Sequence, residues 1–256
     1  MAITCITCTA DRPWAIARAE YQMARQSRQP DEWIVADAGQ VPAVLTMGQR
    51  HLRLPHQESG SLSLAYNLQA AVRAAQGDFL IIIEDDDWYH PDYVEECRKR
   101  LRRTSVAGEP WLRYYHVAER RYATFPNAGG SGLYQTSLRK RYVPALLRAI
   151  RQAVEGGGYD IDGRLWKMLS PAECRLFDED LTVGIKGMPG AAGIGIGHRP
   201  IRMRRVHPRP NCPQGHLQPV DSRWAFDHDG QQLCSWIGDE ANFYLEFSDG
   251  HPSDGS

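Results

Sequence analysis

At 256 residues the chain is long enough to bury a sizeable core, as one large domain or one domain with an appendage. Its 42% hydrophobic and 24% charged residues are ordinary for a globular protein, and no run approaches the roughly eighteen apolar residues a membrane-spanning helix needs. A formal net charge of −1 excludes attraction of a polyanion by overall charge, yet it conceals a segregation. Residues 98–151 hold thirteen Lys and Arg against two acids, residues 199–209 five Arg and no acid, and residues 211–256 one Arg against eight acids.

In chain order, residues 2–9 (AITCITCT) read as a first strand, which puts Cys5 and Cys8 on opposite faces and makes them core residues, not a redox pair. The N-terminus has no basic segment followed by a long apolar run, and six cysteines in this length do not make a disulfide framework. A reducing, cytoplasmic setting is therefore expected, a host cytoplasm if the protein is phage-encoded. Residues 13–28 read as a helix with Pro13 in its first turn and Ala17, Tyr21 and Ala24 on one face. Residues 32–39 (EWIVADAG) form a second strand and residues 50–56 a short third. The clearest helix follows, with Ser61 or Ser63 as cap, a stripe of Leu64, Leu68, Ala71, Val72 and Ala75, and Gly77 as stop. Residues 78–84 (DFLIIIE) make a continuous apolar strand of the kind buried on both faces of a parallel sheet. This is βαβαβ, an α/β doubly wound half.

That apolar strand runs into Glu84, Asp85, Asp86 and Asp87. Two carboxylates about 4 Å apart repel by about 4 kcal/mol at an effective dielectric near 20, so something positive must sit on the run. A divalent cation with hard oxygen ligands is the obvious candidate. Open α/β sheets bind ligands at the carboxyl ends of their strands, where Thr9–Arg12, Asp37 and Asp85–Asp87 all emerge. A nucleotide held with a metal fits that convergence.

Beyond residue 100 the pattern changes. Residues 111–117, 120–125 and 132–138 read as shorter strands, residues 142–154 as a helix ending at Gly156, and residues 160–169 as another helix with Asp160 near its start. Residues 182–200 are glycine-rich, a candidate lid, and residues 206–256 read as an irregular acidic appendage to a domain of residues 1–205.

The segments TCTADRP, EWIVADAG and SLAYNLQAAVRAAQGDFLIIIEDDDWYHPDYVEE together resemble the nucleotide-binding half (residues 1–100) of family 2 glycosyltransferases, which have the GT-A fold, followed here by an acceptor half of residues 101–205. The resemblance implies a nucleotide-diphosphate sugar donor, a UDP-sugar first, with Mn²⁺ or Mg²⁺ bridging the diphosphate. It implies nucleotide-sugar contacts from Thr9, Ala10, Asp11, Arg12, Asp37, Asn67, Asp85 and Asp86, with Asp37 accepting from uracil N3–H. The acidic DxD motif corresponds to Asp85–Asp87. In an extended stretch Asp85 and Asp87 project to one side, which makes them the metal ligands and leaves Asp86 opposite. A late His, here His198, is a further metal ligand. An inverting transferase also needs a general base at the start of a helix, which Asp160 and Asp162 offer. Asp162 is preferred because Asp160 stands where an N-cap would, and the acids at 178–180 are the rival site. The basic clusters at 98–151 and 199–209 flank the presumed acceptor side and favour a polyanionic acceptor. Hydroxymethylated phage DNA is one candidate, and an anionic cell-surface glycan or lipid another. Two other classes, a nucleotidyltransferase and a non-catalytic nucleic-acid-binding protein, leave respectively the missing Gly-rich triphosphate loop and the strand-to-acid design unexplained.

Overall fold

The computed structural model describes residues 1–57, 60–127, 129–158, 160–188, 203–206, 216–219 and 223–246. In chain order the elements are β1 (Ile3–Thr9), α1 (Pro13–Ala24), β2 (Glu32–Asp37), β3 (Arg50–Arg53), α2 (Gly60–Ala74), β4 (Phe79–Ile82), β5 (Trp88–Tyr89), α3 (Tyr93–Arg103), β6 (Val106–Gly108), β7 (Trp111–His116) and β8 (Arg121–Pro126). They continue with β9 (Ser137–Arg139), α4 (Val143–Glu155), α5 (Ile161–Lys167), β10 (Cys174–Leu176), β11 (Thr182–Lys186), β12 (Met203–Val206), β13 (His216–Pro219), β14 (Trp224–Phe226), α6 (Gln231–Ile237) and α7 (Ala241–Leu245). Two compact units result, Met1–Leu112 with Pro126–Gly184, and Arg113–Phe125 with Ile185–Ser256.

The first unit is built on a mixed sheet in the order β10-β6-β9-β4-β1-β2-β3. β4, β1, β2 and β3 run parallel, and β9 lies antiparallel between β4 and β6. The expected α/β architecture is present. β4 reads as an unbroken apolar run because both of its faces are covered, and its neighbour β1 is equally enclosed: Ile3, Cys5, Ile6, Leu80 and Ile81 are all fully buried, as are Thr4 and Thr7. On one face Ile6, Ile34, Leu80 and Leu138 pack with Leu68 and Val72 of α2 and with Leu146 and Ile150 of α4. The thiols of Cys5 and Cys8 are free, and burial raises both pKa values, as befits core residues.

Helix α1 turns its other side inward. Ala17, Tyr21 and Ala24, the expected apolar face, are exposed, while Ala15, Ile16, Ala19 and Met23 are buried together with Glu20 and Gln22. Hydrogen bonds decide the rotation. Gln22 Nε2 donates to the Asp87 carbonyl at 3.1 Å and its Oε1 accepts from Tyr89 N at 2.7 Å. One turn on, Gln26 repeats the pattern with the His90 carbonyl (2.9 Å) and Val94 N (3.0 Å). Two side-chain amides thus satisfy four backbone groups of the segment that follows the acids, an advantage the alanines could not offer.

Three of the basic residues expected beside the acceptor, Arg139, Lys140 and Arg141, lie at the edge where the parallel strands begin. Arg139 pairs with Phe79, the first residue of β4, and its guanidinium donates to the carbonyls of Leu101 (2.7 Å), Thr104 (3.0 Å) and Arg102 (3.1 Å). These are carbonyls at and just beyond the last turn of α3, which have no helical partner, so Arg139 caps a helix C-terminus. Lys140 Nζ donates to the Gln76 carbonyl at 2.9 Å, and Arg141 donates to Ser105 Oγ. This edge is where the parallel strands begin; the acids leave the edge where they end.

In the second unit β14 pairs antiparallel with β8, Trp224 opposite Ala123, and β12 pairs with β13. The described part of the expected irregular tail is therefore ordered: Leu233, Ile237, Ala241 and Tyr244 form a buried helical stripe, and the Asp227 carboxylate accepts from Gln232 N and Leu233 N at the start of α6.

Burial gives Glu109 its own signature. Its carboxylate accepts from Gln135 Nε2 (3.1 Å) and Thr182 Oγ1 (2.9 Å), with Arg100 at 3.5 Å, and desolvation raises its pKa to about 7 despite those partners. The unfolded value is about 4.3, so the folded state holds this proton more tightly. The contribution is favourable below about pH 4 and is lost as pH rises through about 7. Glu109→Gln is expected to gain stability relative to the parent as pH goes from 5 to 8. Urea unfolding at four pH values checks this, and a pH-independent difference would contradict it.

Candidate functional site

The exits of β1 and β4 are joined by one guanidinium. Arg12 follows β1 and donates through Nη2 to Asp85 Oδ1 and through Nη1 to Asp86 Oδ2, the latter at 2.8 Å. Burial works against its charge, yet Asp85 and Asp86 hold its pKa above the ordinary guanidinium value. Thr9 Oγ1 donates to the other Asp85 oxygen at 2.7 Å, so both oxygens of this fully buried carboxylate are bonded to protein. Desolvation still raises the Asp85 pKa, with Arg12 opposing.

The acids are distributed differently from the strand-alternation expectation. β4 ends at Ile82, and Asp85–Asp87 lie in a bend, so a two-residue period does not apply. Asp85 turns to Thr9 and Arg12, away from the expected partnership with Asp87. Glu84, Asp86 and Asp87 instead each offer a carboxylate oxygen within 4.8 Å of the others. Three hard oxygen donors at that spacing suit Mg²⁺ or Mn²⁺, which take carboxylate oxygens. The bend is held from behind by Gln22 on the Asp87 carbonyl and by the Tyr89 hydroxyl, which accepts from Glu84 N at 2.8 Å.

Asp37 leaves β2 fully buried. Its carboxylate accepts from Gly39 N and Ala43 N (both 2.8 Å), from Arg53 (2.7 Å) and contacts His51 Nε2 at 3.1 Å. Burial alone would raise its pKa, but these donors outweigh it and lower the value. In this arrangement Asp37 shapes the loop over residues 39–43. Asp11 is the exposed acid at this edge, with φ 52° and Oδ1 accepting from Val41 N at 3.1 Å. Ala10 beside it is half-buried. Asn67 stands buried on α2, its Nδ2 donating to the carbonyls of Thr9 (3.2 Å) and Ala36 (3.4 Å), where it braces the two strand exits.

Asp162 sits in the first turn of α5, half-buried. Burial raises its pKa, while backbone N–H groups, that of Leu133 among them, pull the other way. The same edge is reached through Leu133: three residues on, the Thr136 carbonyl accepts from Ile82 N at 3.3 Å, and the Gly157 carbonyl accepts from Ser61 Oγ at 2.8 Å. Asp160 occupies the N-cap position with φ 65°, exposed and without a side-chain cap bond. Of the rival acids, Asp178 and Asp180 are exposed and Glu179 bonds Arg100 at 3.0 Å. His198, residues 189–200 of the candidate lid, and most of the basic cluster at 199–209 lie outside the described residues. Among the described residues no helix is long and apolar enough to cross a membrane.

The sequence reading missed Gln22, Gln26 and Glu84. Two glutamines four apart on one helix were the available signal, masked by an equally plausible alanine face.

The family description Glycosyl transferase family 2 matches residues 4–153. None of the curated proteins matches the chain in sequence. Among solved structures, S. aureus TarS superposes with a TM-score of 0.51 at 11% identity, covering 72% of this chain and 37% of that one. S. aureus TarS 1-349 in complex with UDP gives 0.49 at 14% identity over 72% and 60% of the two chains. The mannosyltransferase PcManGT from Pyrobaculum calidifontis, in complex with GDP-Man and Mn²⁺, gives 0.45 at 13% over 73% and 57%. The chain thus spans 37% of the TarS structure's length, and the likeness is one of fold: an α/β domain on a central mixed sheet, of GT-A type.

Removing the guanidinium should unravel the site. Arg12→Gln leaves Asp85 buried beside a neutral group, an uncompensated charge expected to cost about 3–5 kcal/mol of stability. Chemical denaturation measures it, and a loss under about 1 kcal/mol would show that Arg12 is not what holds the acids.

Proposed function

Because the chain belongs to glycosyl transferase family 2, we propose that it transfers a sugar from a nucleotide-diphosphate donor to a hydroxyl acceptor with inversion at the anomeric carbon. The observation that carries this reading is the convergence of Glu84, Asp86 and Asp87 at the exit of β4, beside Arg12 and Thr9 from the exit of β1. When bound there, Mn²⁺ or Mg²⁺ would supply Lewis-acid stabilisation of charge on the departing diphosphate. Asp87 and Asp86 are the ligands of first choice, with Glu84 completing the set; Asp85 serves the fold of the loop. A uridine diphosphate sugar heads the donor panel, as the sequence resemblance implies.

The general base we assign is Asp162. Its burial-raised pKa suits a carboxylate that must accept a proton from the acceptor hydroxyl, and its helix begins at the catalytic edge. Asp160, exposed on the same turn, is the second reading. Because Arg139, Lys140 and Arg141 bond backbone and Ser105 at the opposite edge, they give no support to an anionic acceptor, DNA included, at the catalytic edge.

Asp87→Asn is expected to abolish Mn²⁺-dependent UDP binding in calorimetry while the melting temperature holds or rises, since a repelling charge is removed. Unchanged UDP affinity in Mn²⁺ would refute the ligand assignment. Asp162→Asn is expected to lower turnover by about 10²–10⁴-fold with donor affinity retained. If Asp162→Asn turns over normally and Asp160→Asn is the silent enzyme, the base is Asp160.

A further inference from the structure

The outermost strand of the sheet, β10, carries a second feature, three strands from β4. The ring of Phe177 is buried at 6% exposure, with three guanidiniums around it: Arg175 at 5.2 Å from the centroid, Arg100 at 5.3 Å and Arg103 at 5.7 Å. Arg100 is balanced by Glu109 and Glu179. Arg103 and Arg175 are exposed, as is Arg102 beside them at the end of α3, and none of the three has a carboxylate partner among the described residues. Of the nearby acids, Asp178 follows Phe177 and is exposed, and others are committed elsewhere. Glu95 pairs with Arg98, Glu96 with Lys99, and the Glu173 carboxylate accepts from Tyr142 and Ser170.

We propose that Arg102, Arg103 and Arg175 form a phosphate-binding surface for a phosphate-bearing linear polymer, separate from the donor site. The ring face offsets part of the repulsion between Arg103 and Arg175 and fixes both planes, so two bidentate donors are held ready at little further entropy cost. Arg175 lies on β10, the outermost strand of the sheet, so the surface is open on that side. A polymer is favoured over a lipid surface because the exposed large apolar side chains (Met1, Tyr21, Val41, Val44, Met47, Tyr66, Trp111 and Phe226) include none from residues 95–110 or 137–179, leaving nothing nearby to insert. Three strand spacings, about 14 Å, separate β10 from β4, so a polymer bound here would be held close to the donor site at high effective concentration.

Fluorescence anisotropy with labelled long-chain inorganic polyphosphate at 50 and 200 mM NaCl tests this. The parent protein should bind, more weakly at the higher salt, and the triple Arg102→Gln, Arg103→Gln, Arg175→Gln variant should bind at least tenfold more weakly. Mn²⁺-dependent UDP binding should be the same in both, which keeps this test independent of the transferase reading. If the triple variant does not fold, Arg102→Gln alone carries the test and should weaken binding severalfold. The proposal is overturned by no polyphosphate binding at 50 mM, by unchanged binding in the variant, by inorganic phosphate binding as tightly as the polymer, or by arginine-dependent capture on phosphatidylglycerol vesicles in place of polyphosphate.

Discussion

The site exists because one buried guanidinium stands between two strand exits. Four carboxylates in succession at the end of a buried strand repel one another by about 4 kcal/mol per close pair at moderate dielectric. Arg12, delivered by the turn after β1, bonds the two middle members, and Thr9 from the same strand end closes the remaining Asp85 oxygen. β1 and β4 are hydrogen-bonded neighbours in the sheet, so the register that pairs Ile6 with Ile82 also brings the cation to the acids. Sheet pairing and charge pairing thus depend on each other.

Around that contact the protein spends neutral polar side chains where charges would be costly. Gln22 in α1 and Gln26 just past its end bond the backbone of residues 87–94, and Asn67 does the same for the ends of β1 and β2. Each is buried, and each adds no charge to a region that already holds more acid than base. Orphaning such backbone groups costs about 1–3 kcal/mol apiece, so these amides are a substantial part of what keeps the bend in shape.

The sequence made the parallel sheet legible because β2 and β4 are apolar on both faces and α2 is periodic; the acids were legible because nothing else explains them. The rotation of α1 was not, since Ala17, Tyr21 and Ala24 form as good a 3.6-residue stripe as the true face, and only the distant partners of Gln22 break the tie. The partners that Asp85 and Asp37 find within the protein were not legible either. Alternation predicts direction only in an extended chain, and the chain stops being extended after Ile82. Arg139–Arg141 looked like a free basic cluster because sequence shows charge and hides which carbonyls need a donor.

The same distinction divides the acidic run itself. Asp85 has no exposure and both oxygens bonded within the protein, so it belongs to the fold. Glu84, Asp86 and Asp87 bring oxygens together where the proposed cation would sit, with Asp86 also touching Arg12. Asp86 is therefore the hinge between the two roles: a cation drawn to the cluster must share it with the guanidinium. Such sharing moderates the attraction of the site for a metal alone. It makes a ligand that brings its own negative charge, as a diphosphate does, the natural complement to the cation and to Arg12 together.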